Sequence, residues 1–122
     1  MKKILLIALL FSITSCLDLA DIDNTTSSYC ETADPLKDLI WLKQIKSNFE
    51  QSTSAPKKKI IQYIYNNQRV FLIDSCVDCA DNLITVYNCN GTKICEFGGI
   101  QGLNTCPDFD ENATNKIILW EN

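Results

Sequence analysis

Histidine is absent from this chain of 122 residues, which has one methionine, three prolines, four glycines and no apolar run long enough to cross a bilayer as a helix. Without histidine, one chain cannot build a Ser-His-Asp triad, a Cys-His dyad or a histidine-ligated zinc centre. A nucleophilic cysteine would need another activator, and no spacing in the sequence supplies one. Basic residues are also few, 11 against 15 acids, and no dense basic stripe exists to hold a phosphate backbone. Nucleic acid is therefore excluded as a partner. Nor does a lysine with Ser/Thr follow any glycine into a helix, so no phosphate-cradling loop is present. No motif implies a cofactor or a metal, and the expectation is a protein that is not an enzyme.

What the chain does have is seven cysteines, and the first stands apart. Lys2 and Lys3 precede an apolar stretch from Ile4 to Ile13, followed by Thr14-Ser15-Cys16. A basic start, a short apolar run and small residues before the cut describe a secretory signal. Ending on cysteine, it has the form of a bacterial lipoprotein signal, with residues 1–15 removed and Cys16 carrying the lipid. The expected location is the cell envelope, specifically the outer membrane of a Gram-negative bacterium, on either face. The two lysines are the only charges before Cys16, so the formal charge of −4 becomes −6 beyond it. That sign repels anionic headgroups and leaves the lipid anchor as the contact with the membrane.

Setting Cys16 aside leaves Cys30, Cys76, Cys79, Cys89, Cys95 and Cys106. An even number in an exported chain predicts disulfides, each stabilising a small domain by about 2–4 kcal/mol, with 15 connectivities open. Cys76-Val77-Asp78-Cys79 has redox-enzyme spacing, but Asp74, Asp78 and Asp81 nearby disfavour a reactive thiolate. A structural pair is the stronger expectation, with a thiol-disulfide function through Cys76 and Cys79 as an alternative. A four-cysteine zinc site from Cys76, Cys79, Cys95 and Cys106 is a lesser one.

Residues 16–33 form the lipidated cysteine and an acidic tether rich in Asp, Asn, Ser and Thr, reaching on the order of 23 Å if flexible. One small domain follows over 34–122. Asp34-Pro35 opens a helix running to about Asn48, with Asp34 as N-cap. Leu36, Leu39, Ile40, Leu42, Ile45 and Phe49 make its core stripe, flanked by Trp41. Lys57, Lys58 and Lys59 predict a solvated strand edge. Strands near Lys59–Tyr65 and Arg69–Asp74 join through Asn66-Asn67, residues tolerant of positive φ. That register sets Tyr63 opposite Val70 and Ile61 opposite Leu72, leaving both sheet faces apolar. A second hairpin, Leu83–Cys89 with Thr92–Phe97, turns at Asn90-Gly91 and places Val86 opposite Cys95. Cys89 and Cys95 then lie on opposite faces and do not pair. The C-terminal Ile117-Ile118-Leu119-Trp120 reads as a last strand or docking segment. The expected fold is α+β, one N-terminal amphipathic helix on a four- to five-stranded antiparallel sheet of two consecutive hairpins.

Between Cys95 and Cys106 lies a glycine loop whose ends are held by disulfides. Gly98, Gly99, Ile100, Gln101, Gly102 and Leu103 are the candidate binding residues, because a rigid loop loses little entropy on binding. The expected function is a non-enzymatic binding or structural module presenting loop 98–105, or an exposed sheet face, to an envelope protein or a glycan. A proteinase inhibitor or immunity-type protein using the same loop is the alternative.

The series from Tyr63 to Phe71, Cys79-Ala80-Asp81, Val86-Tyr87-Asn88, Gly91, Ile94-Cys95, Gly98-Gly99, Gly102 and Cys106-Pro107-Asp108-Phe109 resembles a family of small uncharacterised bacterial lipoproteins that carry a domain of unknown function. The resemblance spans residues 60–109. It implies that Cys30 and Cys89 are additions to the family's cysteine set and form an extra bridge between the tether's end and the second hairpin. Asn67 stands where the family's first turn has glycine. The resemblance brings no known activity.

Overall fold

The computed structural model describes residues 30–52 and 56–122. The signal, Cys16 and all but the end of the tether lie outside the described residues. The domain is α+β, a six-stranded antiparallel sheet with a helix on one face. The elements are α1 (Pro35–Asp38), α2 (Ile40–Gln51), β1 (Lys59–Tyr65), β2 (Gln68–Asp74), β3 (Leu83–Tyr87), β4 (Lys93–Gly98), β5 (Leu103–Asn104), α3 (Phe109–Asn112) and β6 (Thr114–Glu121). Across the sheet the order is β5-β4-β3-β2-β1-β6.

The first hairpin follows the sequence residue for residue. Asn66 and Asn67 both adopt positive φ, 51° and 59°, and Tyr63 faces Val70 while Ile61 faces Leu72. Side chains alternate across a strand, so this one register creates two cores. On the helix side, Ile60, Phe71 and Ile73 pack with Leu42, bordered by Leu36, Trp41, Ile45 and Phe49. On the other side, Ile61, Tyr65, Val70, Leu72 and Val86 pack with Cys95, Cys106 and Phe109.

Two features of the sheet depart from expectation. Six strands replace four or five, because β5 adds to one edge and β6 pairs with β1 at the other. The chain therefore crosses the second face between β5 and β6, and this crossing sets Cys106 and Phe109 against the sheet. Since β1 has a neighbour on each side, the lysine run is not a sheet edge. Lys58 is buried; its N–H donates to Asn122 Oδ1 at 2.7 Å, and its ammonium stands 5.8 Å from the Phe49 ring.

The helix also differs from its sequence pattern. Leu39 is extended (φ −89°, ψ 105°) and divides the predicted single helix in two. The break shifts the helical phase, turning Trp41 towards the core and leaving Ile40 85% exposed. Pro35 takes the first helical position as expected, but the Asp34 side chain makes no cap bond. Thr32 Oγ1 instead accepts the Asp34 N–H at 3.1 Å and bonds the Asp38 carboxylate.

Trp41 is the clasp between helix and second hairpin. Its indole N–H donates to the Cys89 carbonyl at 2.9 Å, and its ring lies 5.6 Å from Phe71 and 5.4 Å from Tyr87. Gly91, at φ +76°, turns beneath it, where an added Cβ would come within 2.8 Å of Trp41 Cγ. Gly91→Ala combines a disfavoured φ with overpacking and should cost about 1–3 kcal/mol. Urea unfolding measures the loss, and a value near zero would show that Trp41 is not held against the turn.

In the second hairpin Val86 opposes Cys95 as predicted, but β3 ends at Tyr87. Cys89 and Thr92 therefore belong to a wider turn, where the Asn88 carboxamide accepts the N–H groups of Asn90 and Thr92 at 3.0 Å each. A single side-chain acceptor satisfies two turn donors that a strand ladder would otherwise have paired.

Candidate functional site

Among the described residues the disulfides are Cys30–Cys89, Cys76–Cys79 and Cys95–Cys106. The first is the bridge that the family resemblance implied, and Cys89 and Cys95 stay unpaired with each other. Because the four cysteines considered for zinc form two separate bridges, they do not converge. Cys76–Cys79 closes a run of turns from Ser75 to Asn82, with no helix beginning at Cys76 to stabilise a thiolate.

The glycine loop is a hydrogen-bonded hairpin, its two ends joined to each other by one disulfide. Leu103 and Asn104 pair back onto Gly98 and Phe97. One rung further, the Thr105 N–H donates to the Glu96 carbonyl at 3.0 Å, and Thr105 Oγ1 accepts the Glu96 N–H at 2.9 Å. Below these rungs, Cys95–Cys106 ties the hairpin to the buried second face. The loop's conformation also requires glycine at Gly98, where φ is +98° and a Cβ would meet the Asn82 carbonyl at 2.4 Å. The same carbonyl accepts the Gly99 N–H at 2.8 Å. Asn82 is held in turn by the Asp74 carboxylate, which accepts from the Asn82 side chain at 2.6 Å and from the Cys76 N–H at 3.1 Å.

Of the six candidate binding residues, Gly98 belongs to β4 and Leu103 to β5, while Gly99 to Gly102 form the turn. Ile100 is 83% exposed and Leu103 is 41% exposed. Leu83, also exposed, faces Gly98 from β3, so Leu83 and Leu103 flank the residue without a side chain. Leu83 and Asn82 escaped the sequence reading of this site because their contacts with the loop are set by strand register, which no local pattern encodes.

The hairpin stands at one end of the sheet and Cys30 at the other. Cys30 is bonded to Cys89 in the β3–β4 turn, and β4 leads from that turn to Gly98, about 17 Å away along the strand.

The Cys106-Pro107-Asp108-Phe109 segment has a structural task. Phe109 is buried beneath Tyr63, Tyr65 and Phe97, at ring separations of 5.3, 5.0 and 5.6 Å. Asp108 accepts the Tyr65 hydroxyl at 2.8 Å and the Asn112 amide at 3.0 Å. The Tyr65 bond, then the Asn112 bond, lowers the Asp108 pKa, and the same bond to Asp108 raises that of Tyr65. Asp108 therefore adds stability above its unfolded-state pKa, lost as pH falls through the lower folded value; Tyr65 adds stability below its ordinary value of 10.0, lost as pH rises through the higher one. Tyr65→Phe should move the Asp108 carboxyl titration upwards in an NMR pH series. An unmoved midpoint would remove the hydroxyl as the cause.

These features define a small disulfide-linked α+β domain with a clamped glycine hairpin at one end. Residues 46–122 match the family model described as a domain of unknown function, DUF6970, and the chain belongs to that family. The match is wider than the 60–109 resemblance, taking in the second half of α2 and all six strands. No curated protein and no solved structure matches the chain.

Proposed function

We propose that the protein is a binding module of the bacterial cell envelope, exported, anchored through lipid on Cys16 and making contact with an envelope partner through the Gly98–Leu103 hairpin. The observation that carries this reading is the position of the hairpin, rigid and with Ile100 bare, at the end of the sheet away from the disulfide that receives the tether. An exposed apolar side chain on a pre-organised turn binds with little loss of entropy. A tether ending at Cys30 leaves the far end of the domain accessible.

The test replaces residues 98–105 in the full-length protein by a Gly-Ser loop of equal length, Cys95 and Cys106 retained, and recovers partners from the native envelope with the lipid intact. Loss of a partner that the unaltered chain recovers supports the reading. Unchanged recovery would overturn it.

A further inference from the structure

We propose that the Ser75–Asn82 loop and the Gly98–Leu103 hairpin form one contact surface, and that its occupant is a protein segment carrying both cationic and apolar side chains. This rests on the binding-module reading and adds a second loop and the chemistry of the partner. The two segments are joined through Asn82, whose carbonyl holds Gly99 while its side chain is bonded to Asp74 at the start of the loop. Cys76–Cys79 braces that loop, and the Val77 N–H donating to the Lys57 carbonyl at 2.8 Å ties it to the chain entering β1. Both segments are therefore set in place before any partner arrives.

Leu83, Ile100 and Leu103 are three exposed apolar side chains at this junction. The Ser75–Asn82 loop contributes the exposed Asp78 and Asp81 to the same surface. Ion pairs among the described residues are Lys46–Glu50, Lys59–Glu121 and Lys93–Glu96, and none engages either aspartate. Of the three lysines leading into β1, Lys57 is the exposed and unpaired one among the described residues, since Lys58 is buried and Lys59 is paired. An apolar centre with an acidic rim is complementary to a segment that mixes apolar and basic side chains. The same rim repels phosphates and anionic headgroups. No aromatic ring occurs in residues 75–83 or 98–104, so the surface gives a glycan no π-face on which to stack.

The full-length protein in its native envelope tests this, with a photocrosslinking amino acid at Ile100, at Asp78, or at the control position Asp110. The expected result is that positions 100 and 78 label the same segment of one protein, that the segment holds Lys or Arg among apolar residues, and that position 110 does not label it. Adding Asp81→Lys should lower the yield at position 100 at least about fivefold, while Lys116→Glu on β6 leaves it unchanged. Mapping of the three disulfides without reduction verifies that each variant is folded. Labelling at position 100 without labelling at 78, different partners at the two positions, a neutral or acidic segment, a glycan or lipid adduct, or no adduct overturns the inference. If loop replacement abolishes partner recovery while position 78 labels nothing, the joint surface falls and the hairpin reading stands. If loop replacement changes nothing, both fall.

Discussion

Phe109→Ala is expected to reduce the free energy of unfolding by about 3–5 kcal/mol. The ring is 3% exposed and reaches Tyr63, Tyr65 and Phe97, so its removal leaves a void that three aromatic neighbours cannot jointly close. A small domain has about 5–15 kcal/mol in total, which makes this a large fraction of its stability. The loss has a further consequence here, because Phe109 is the anchor of the segment that crosses from β5 to β6 over the second face. Urea unfolding with the disulfides intact should show a lower midpoint at an unchanged slope, the signature of lost stability alone. Ile100→Ala, an exposed truncation, should stay within about 0.5 kcal/mol. A Phe109→Ala loss under about 1 kcal/mol would mean that the crossing segment is not part of the core.

Replacing Cys30 and Cys89 together by alanine should cost about 4 kcal/mol, the chain-entropy value for a bridge between residues 59 apart. Cys76 and Cys79 are only 3 positions apart, so removing that bridge should cost far less. The long bridge also fixes the chain ahead of α1, where the Thr32 carbonyl accepts from the Arg69 guanidinium at 2.7 Å. The double substitution should accordingly free residues 30–34 and weaken the packing of α1. It should leave amide protection in the β4–β5 hairpin unchanged, since Cys95–Cys106 closes that unit independently. Guanidinium unfolding measures the first effect and hydrogen exchange the second. A loss equal to that of the short bridge, or loss of hairpin protection, would contradict this division.

Both expectations depend on features of different legibility. The two-residue Asn66-Asn67 turn and the alternation on either side of it were readable, because a tight turn sets register and register sets the face of every side chain. The helix was readable as an apolar stripe but not as two pieces, since one extended residue at Leu39 leaves no mark in a three- and four-residue periodicity. Lys58 shows the opposite failure. A lysine run is ordinarily solvated, and only the distant contacts with Asn122 beyond β6 and with Phe49 and Ser52 at the end of α2 enclose this one. Within the candidate site, Gly98, Gly99 and Gly102 signalled a turn through their conformational freedom. The carbonyl of Asn82 that makes Gly98 obligatory lies 16 positions away in the sequence and carries no side-chain signal.

By itself, the sequence determined the absence of histidine chemistry, the even set of cysteines after Cys16, the α+β pattern and the first hairpin's register. All of these follow from composition or from neighbours a few residues apart, where local geometry is the whole of the physics. Tertiary structure alone decided which cysteines pair, that β6 closes the sheet beside β1, and that Cys106-Pro107-Asp108-Phe109 plugs the second face. It also decided that the Ser75–Asn82 loop and the glycine hairpin meet at the end opposite Cys30. These depend on contacts between distant segments, whose free energies exist only once the chain has closed the loops between them.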